Sequence, residues 1–142
     1  MTRFGEHAAW FEFTSDRFDH ESELPPEANA GNRFYGRDVA EFVSDGLAAR
    51  GFDASFLDED WGWQAHAALD DGTVLEVSVY HNPEESPATP DEWALMVRSL
   101  RKERAFGLVP RFRETEVEAD ALSSLEDAFR DGGIALRRRG AL

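Results

Sequence analysis

The chain contains no cysteine, and that absence removes disulfides, thiolate metal sites and cysteine nucleophiles together. It has a single lysine, Lys102, and a single isoleucine, Ile134. Its apolar runs are short, none approaching the ~18 residues that a membrane-spanning helix requires. No basic region leads into an apolar one at the N-terminus, so no secretory signal is expected. There is no glycine-rich phosphate loop; Gly132-Gly133 is too short and follows a helical segment. The four histidines, His7, His20, His66 and His81, show no HxH, HxxxH or HExxH spacing. No serine or threonine sits in a nucleophile elbow. These absences leave no catalytic constellation, and the expectation is a cytoplasmic, membrane-free protein with no cofactor and no metal.

What is present is enough for a core. The 142 residues are 42% hydrophobic and 12% aromatic, with 11 Phe and 4 Trp, too apolar for a disordered chain. A chain of this length buries most of its unfolded surface without staples, so a single domain over 1–142 is expected, with a frayed end at 139–142.

The net charge is −14. Such a field repels nucleic acid and anionic membranes, because phosphate contacts need Lys and Arg. Acidity of this kind serves solubility, also in a salt-rich interior, or engages a basic partner. The charge is uneven. Residues 1–97 carry 21 acids against 5 arginines, whereas residues 98–113 carry 6 basic residues against Glu103 alone. Residues 114–131 are acidic again, and Arg137, Arg138 and Arg139 close the chain. A basic segment between acidic ones reads either as an internally salt-bridged face or as a binding patch.

Along the chain, Phe11 and Phe13 alternate with Trp10, Glu12 and Thr14 in a strand over 7–14, with the two phenylalanines inward. The polar stretch 15–32, with Pro25-Pro26 and Gly31, reads as a long loop. Val39, Phe42, Val43 and Leu47 then form one apolar stripe of a helix. Gly51 is placed for a left-handed C-terminal cap, with Phe52 folding back on Leu47. Gly46 weakens this helix unless it permits a close approach. Phe52 to Leu57 is a strand or the lead-in to one. Within and after the stretch Asp58-Glu59-Asp60-Trp61-Gly62-Trp63, the segments from Trp61 or Trp63 to Leu69 and from Thr73 to Tyr80 alternate around the turn Asp70-Asp71-Gly72, which predicts a hairpin with one buried face. Residues 91–100 are ambiguous. Thr89-Pro90-Asp91-Glu92 resembles a helix start, and Trp93, Met96, Val97 and Leu100 keep helical spacing. Trp93, Leu95 and Val97 equally alternate as in a strand. A second helix is expected over 114–130, ended by Gly132-Gly133, with a short edge strand formed by Ile134-Ala135-Leu136 and the arginine run that follows.

Tyr35, Gly36, Asp38, Ala40, Glu41 and Phe42, then Glu59 to Trp63, then Asp91 to Trp93, make up a motif set. It resembles a family of small uncharacterised bacterial α+β proteins with a YGxD helix start and an EDWGW motif before a hairpin. The resemblance spans about residues 33–138, brings no activity, and implies a strand rather than a helix at 92–99. The chain departs from the pattern in its acidity and in Phe42, where Trp is common.

These features predict one α+β domain, with an antiparallel sheet of four to five strands and two amphipathic helices packed on one face. Candidate binding residues are Asp58, Glu59, Asp60, Trp61, Trp63, His66, Tyr80 and His81. The acids at 58–60 read as a solvated turn or as carboxylates for a hard cation. Trp61 and Trp63 read as core anchors or, exposed, as a stacking platform for a sugar or a partner's side chain. His66 faces outward, and His81 at the hairpin's end could meet it. Arg98, Arg101, Lys102 and Arg104 form a candidate basic patch. With nucleic acid disfavoured by charge, the expected activity is non-catalytic binding of another protein. A specific form is an inhibitor or immunity-type protein covering a basic site on a toxin or a nucleic-acid enzyme. The rival is a small metal-dependent enzyme using Asp58 and Asp60.

Overall fold

The computed structural model of the chain describes residues 7–18, 36–59, 62–69, 72–81, 92–105 and 109–138. Seven strands form one antiparallel sheet: β1 (Ala9–Thr14), β2 (Asp53–Glu59), β3 (Gly62–Ala68), β4 (Thr73–His81), β5 (Glu92–Ala105), β6 (Val109–Thr115) and β7 (Arg137–Arg138). Two helices, α1 (Arg37–Ala48) and α2 (Ala119–Asp131), complete the described elements. The sheet order is β2-β3-β4-β5-β1-β7, and β6 pairs with β5 beyond the end of β1. No helix among the described residues is long and apolar enough to cross a membrane.

Strand alternation builds the core face. Phe11 and Phe13 of β1, Trp63, Ala65 and Ala67 of β3, Leu75, Val77 and Val79 of β4, and Trp93, Leu95 and Val97 of β5 are all buried in one cluster. The small Ala65 and Ala67 leave room for α1, which lies over β2, β3 and β4. α1 turns Val39, Val43 and Leu47 onto the sheet, and α2 adds Leu122, Leu125 and Phe129. The largest side chains gather between α2 and β1. Phe13 lies 5.1 Å from Phe129 and 6.5 Å, nearly parallel, from Trp93, while Phe18 sets its edge against Phe13, Phe42 and Trp93.

Both helices end the same way. Phe52 N–H donates to Leu47 O at 3.1 Å and Gly51 N–H to Ala48 O at 3.1 Å, the Schellman pair, with Gly51 at φ 93°. Ile134 and Gly133 repeat this pattern on Phe129 and Arg130. In each case the glycine takes the left-handed turn, and the apolar residue after it packs against the core.

Gly46 lets α1 lie close against α2. A Cβ built there would lie 2.8 Å from Ala128 Cβ. Gly46→Ala is therefore expected to destabilise, although alanine favours a helix over glycine by about 1 kcal/mol. Overpacking costs about 1–3 kcal/mol, so the net effect is a lower urea midpoint at unchanged slope. A raised midpoint would show that the helix pair separates at no cost.

Several expectations are corrected. The sheet has seven strands rather than four to five, because the basic segment 98–113 folds as the end of β5 and as β6. The ambiguity at 91–100 resolves as strand, which runs on to Ala105: Trp93, Leu95 and Val97 are buried on one face, and Ala94 and Met96 on the other. A strand buried on both faces shows no clean alternation. Glu114 and Thr115 belong to β6, so the second helix starts only at Ala119. The short edge strand expected over Ile134-Ala135-Leu136 and the arginine run is confined to Arg137–Arg138. Of the expected loop at 15–32, residues 15–18 are described and Phe18 is core; the remainder lies outside the described residues.

Candidate functional site: the sheet face opposite the helices

Directly opposite residues of an antiparallel ladder share a face, so the register maps the side that the helices leave open. One row runs His66 of β3, Glu76 of β4, Arg98 of β5. Arg98 donates to Glu76 Oε1 from Nε at 2.9 Å and from Nη2 at 2.5 Å. Its Nη1 lies 3.5 Å from Glu114 Oε1 on β6. Glu114 Oε2 accepts from the backbone N–H of His7 at 2.6 Å. The side chains of Arg98, Glu76 and Glu114 keep only 13%, 10% and 7% of their surface exposed. His66 Nε2 stands 3.9 Å from Glu76 Oε2 at the edge of this group. The cluster is thus one guanidinium held between two carboxylates, at low exposure.

The next row is Gln64, Ser78, Met96 and Trp10. Gln64 Nε2 donates to Ser78 Oγ at 2.9 Å, which satisfies two polar groups that are otherwise nearly buried. Beyond it, Tyr80, Ala94 and Glu12 line up. Trp10 and Tyr80 come from strands on either side of β5. They stack with centroids 6.1 Å apart and planes at 27°. The short Ala94 between them permits this approach, and Ala94 and Met96 are themselves buried on this face. Tyr80 remains 37% exposed. Burial raises its phenol pKa above the ordinary value; Arg98 opposes this rise and Glu76 adds to it. The phenol therefore stays a neutral donor and acceptor at neutral pH.

This arrangement joins some of the expected site residues and separates others. His66, Tyr80 and Arg98 share the open face. Trp63 does not: it is 3% exposed, 6.3 Å from Phe56 and 6.0 Å from the Arg37 guanidinium carbon, a core anchor and no stacking platform. A Cβ at Gly36 would meet Val79 Cγ1 at 3.0 Å and Trp63 Cδ1 at 3.7 Å, so the chain entering α1 runs tight against this anchor. Asp58 and Glu59 are strand residues of β2 rather than turn residues, since Glu59 pairs directly with Gly62 across positions 60–61. Asp60 and Trp61 lie outside the described residues. His81 pairs with Trp93, one step out of phase with Tyr80, so the register does not bring it to His66. Among the described residues no three His, Asp or Glu side chains gather to hold a metal ion. The basic patch loses Arg98 to the internal ion cluster, while Arg101 and Lys102 are exposed. Arg104 is a β5 residue opposite Pro110.

Sequence reasoning missed Trp10, Glu76 and Glu114 as members of one surface. Their outward phase was readable within each strand. That β1 and β4 both flank β5, and so bring Trp10 to Tyr80, was not. No protein-family model matches the chain, and no curated protein or solved structure matches it either, so the family resemblance rests on its motifs alone.

Proposed function

We propose that this protein is a non-catalytic module that binds another protein through the sheet face opposite α1 and α2, and that the partner surface is basic. The observation that carries this reading is the Trp10–Tyr80 pair, stacked across β5 on a face that neither helix covers. Tyr and Trp are the side chains that anchor protein interfaces, because they give large rigid contact area with a polar tip. Leu57, 42% exposed on the same face at the sheet edge, extends the apolar contact. The chain's −14 charge favours a cationic partner and speeds its encounter. Arg98 is already neutralised by Glu76 and Glu114, so the face offers shape and aromatic surface rather than a free reactive charge. An inhibitor covering a basic site on a toxin or a nucleic-acid enzyme is the specific form of this function.

The test is capture from native lysate at low and high salt, with wild type beside Trp10→Ala/Tyr80→Ala. A basic protein retained by wild type and lost with the double variant is the expected result. Retention that ignores the double variant, or none in either salt condition, refutes the reading.

A further inference from the structure

Among the described residues β2, β6 and β7 form the outer edges of the sheet, and they are guarded differently. β7 is two residues long, and β6 contains a proline, Pro110. Short strands, proline, lysine and bulges keep an exposed edge from pairing with another chain. β2 has none of these. It runs for seven residues, Asp53–Glu59, and pairs one to one with β3 without a bulge. Its only charges are the acids Asp53, Asp58 and Glu59. Among the described residues it pairs with β3 alone. The phase of the ladder fixes which of its backbone groups point outward. Leu69 N–H donates to Thr73 O at 2.8 Å, closing the β3–β4 hairpin. Successive residues of an antiparallel strand bond to opposite neighbours. Ala67, Ala65 and Trp63 therefore bond toward β4, and Ala68, His66, Gln64 and Gly62 toward β2. The latter engage Asp53, Ser55, Leu57 and Glu59. The N–H and C=O groups of Ala54, Phe56 and Asp58 are left pointing away from β3.

We propose that β2 takes an extended basic segment as a further strand of the sheet, joined through the outward groups of Ala54, Phe56 and Asp58, and, resting on the reading of a basic protein partner, that this segment is the partner's. A strand added to a free edge gains main-chain hydrogen bonds, while its alternate side chains give specificity. Asp53 and Leu57 are both exposed on the open face of the sheet. A cation beside the first and an apolar side chain beside the second complement them, and the added strand widens the face that carries Trp10 and Tyr80. A second copy of this chain is disfavoured as the occupant. In a two-fold pairing of β2 with itself centred on Phe56, Asp53 of each copy stands opposite Glu59 of the other. Like charges directly opposite destabilise a ladder. The acids thus deter self-association and admit a basic strand.

Amide hydrogen exchange with blocked peptides of the same length as β2 tests this. One peptide alternates threonine and valine between terminal arginines; its twin has glutamates in their place. At about 100 times its dissociation constant, the arginine peptide is expected to slow exchange at Ala54, Phe56 and Asp58 about 100-fold. Ser55 and Leu57, already bonded to β3, should change far less. The glutamate twin should protect none of them. Ala54→Pro removes an outward N–H and no bond to β3, and should weaken the arginine peptide about tenfold. Asp53→Asn/Asp58→Asn/Glu59→Gln should weaken it by about as much and bring the two peptides level. Circular-dichroism melts matching wild type confirm that each variant is folded, and the exchange pattern of the wild type needs no variant. Protection without the alternation, equal protection by the glutamate twin, or no protection overturns the proposal. So does a wild-type dimer in light scattering that Ala54→Pro abolishes, which gives the edge to a second copy. The peptide uses neither Trp10 nor Tyr80, so Trp10→Ala/Tyr80→Ala should bind it as wild type does. Failed peptides with lysate capture intact sink the edge alone, whereas failed capture with the peptide bound sinks the aromatic face alone.

Discussion

Arg98→Met is expected to lower stability by about 3–5 kcal/mol, because it leaves two poorly exposed carboxylates facing each other without a counter-charge. Glu76 and Glu114 keep 10% and 7% of their side-chain surface, too little for water to replace the guanidinium. The loss comes from the stranded charges, not from the pair having been strongly favourable when intact. This distinction is itself measurable. The triple variant Arg98→Met/Glu76→Leu/Glu114→Met removes the charges together and is expected to recover most of the loss, as apolar replacement of a buried ion cluster generally does. Urea unfolding at constant slope gives both numbers. If the single variant costs under about 1 kcal/mol, the cluster behaves as an exposed pair and the burial assigned to it is wrong.

Trp93→Ala is expected to cost about 3–5 kcal/mol, the range for deleting a large aromatic from a core. Trp93 has 0% exposure, lies parallel to Phe13 and receives the edge of Phe18. The gap opens in the middle of β5, where β4 and β1 pair on both sides and limit collapse. Against a total stability of roughly 5–15 kcal/mol, this leaves the domain marginal. Trp10→Ala on the opposite face serves as the control. Trp10 is only half-buried, so its loss should cost clearly less and should act on binding instead. Equal midpoints for the two variants would contradict the assignment of one tryptophan to the core and the other to the open face.

The elements legible in the sequence are those whose cause is local. The α1 stripe, the Gly51 cap with Phe52 returning to Leu47, the strand of Phe11 and Phe13, and the hairpin around Asp70-Asp71-Gly72 each depend on residues within a few positions of one another. Gly46 was also legible as a choice: either a weak point or a close approach. Ala128 resolves it, and Ala128 is 82 positions away. The stretch DEDWGW was readable as important but not as what it is. It spans the reversal from β2 to β3, with Asp58 and Glu59 on one strand and Gly62 and Trp63 on the other.

Residues 92–105 mark where local reasoning fails. Trp93, Met96, Val97 and Leu100 have helical spacing, yet β5 is the strand that β4, β1 and β6 all pair with. Burial on both faces erases the period of two, and only the neighbouring strands supply the hydrogen bonds that favour extended chain. The open face has the same origin. Glu76, Arg98, Glu114, Trp10 and Tyr80 lie on four strands, and their meeting depends on strand order and register, which no short window of sequence contains. The sequence by itself determined the fold class, the helix caps, the inward rows and the acidic field. These follow from period, cap chemistry and composition. Tertiary structure alone decided the length of β5, the burial of Trp63 and Arg98, and the union of Trp10 with Tyr80, because each depends on which strand lies beside which.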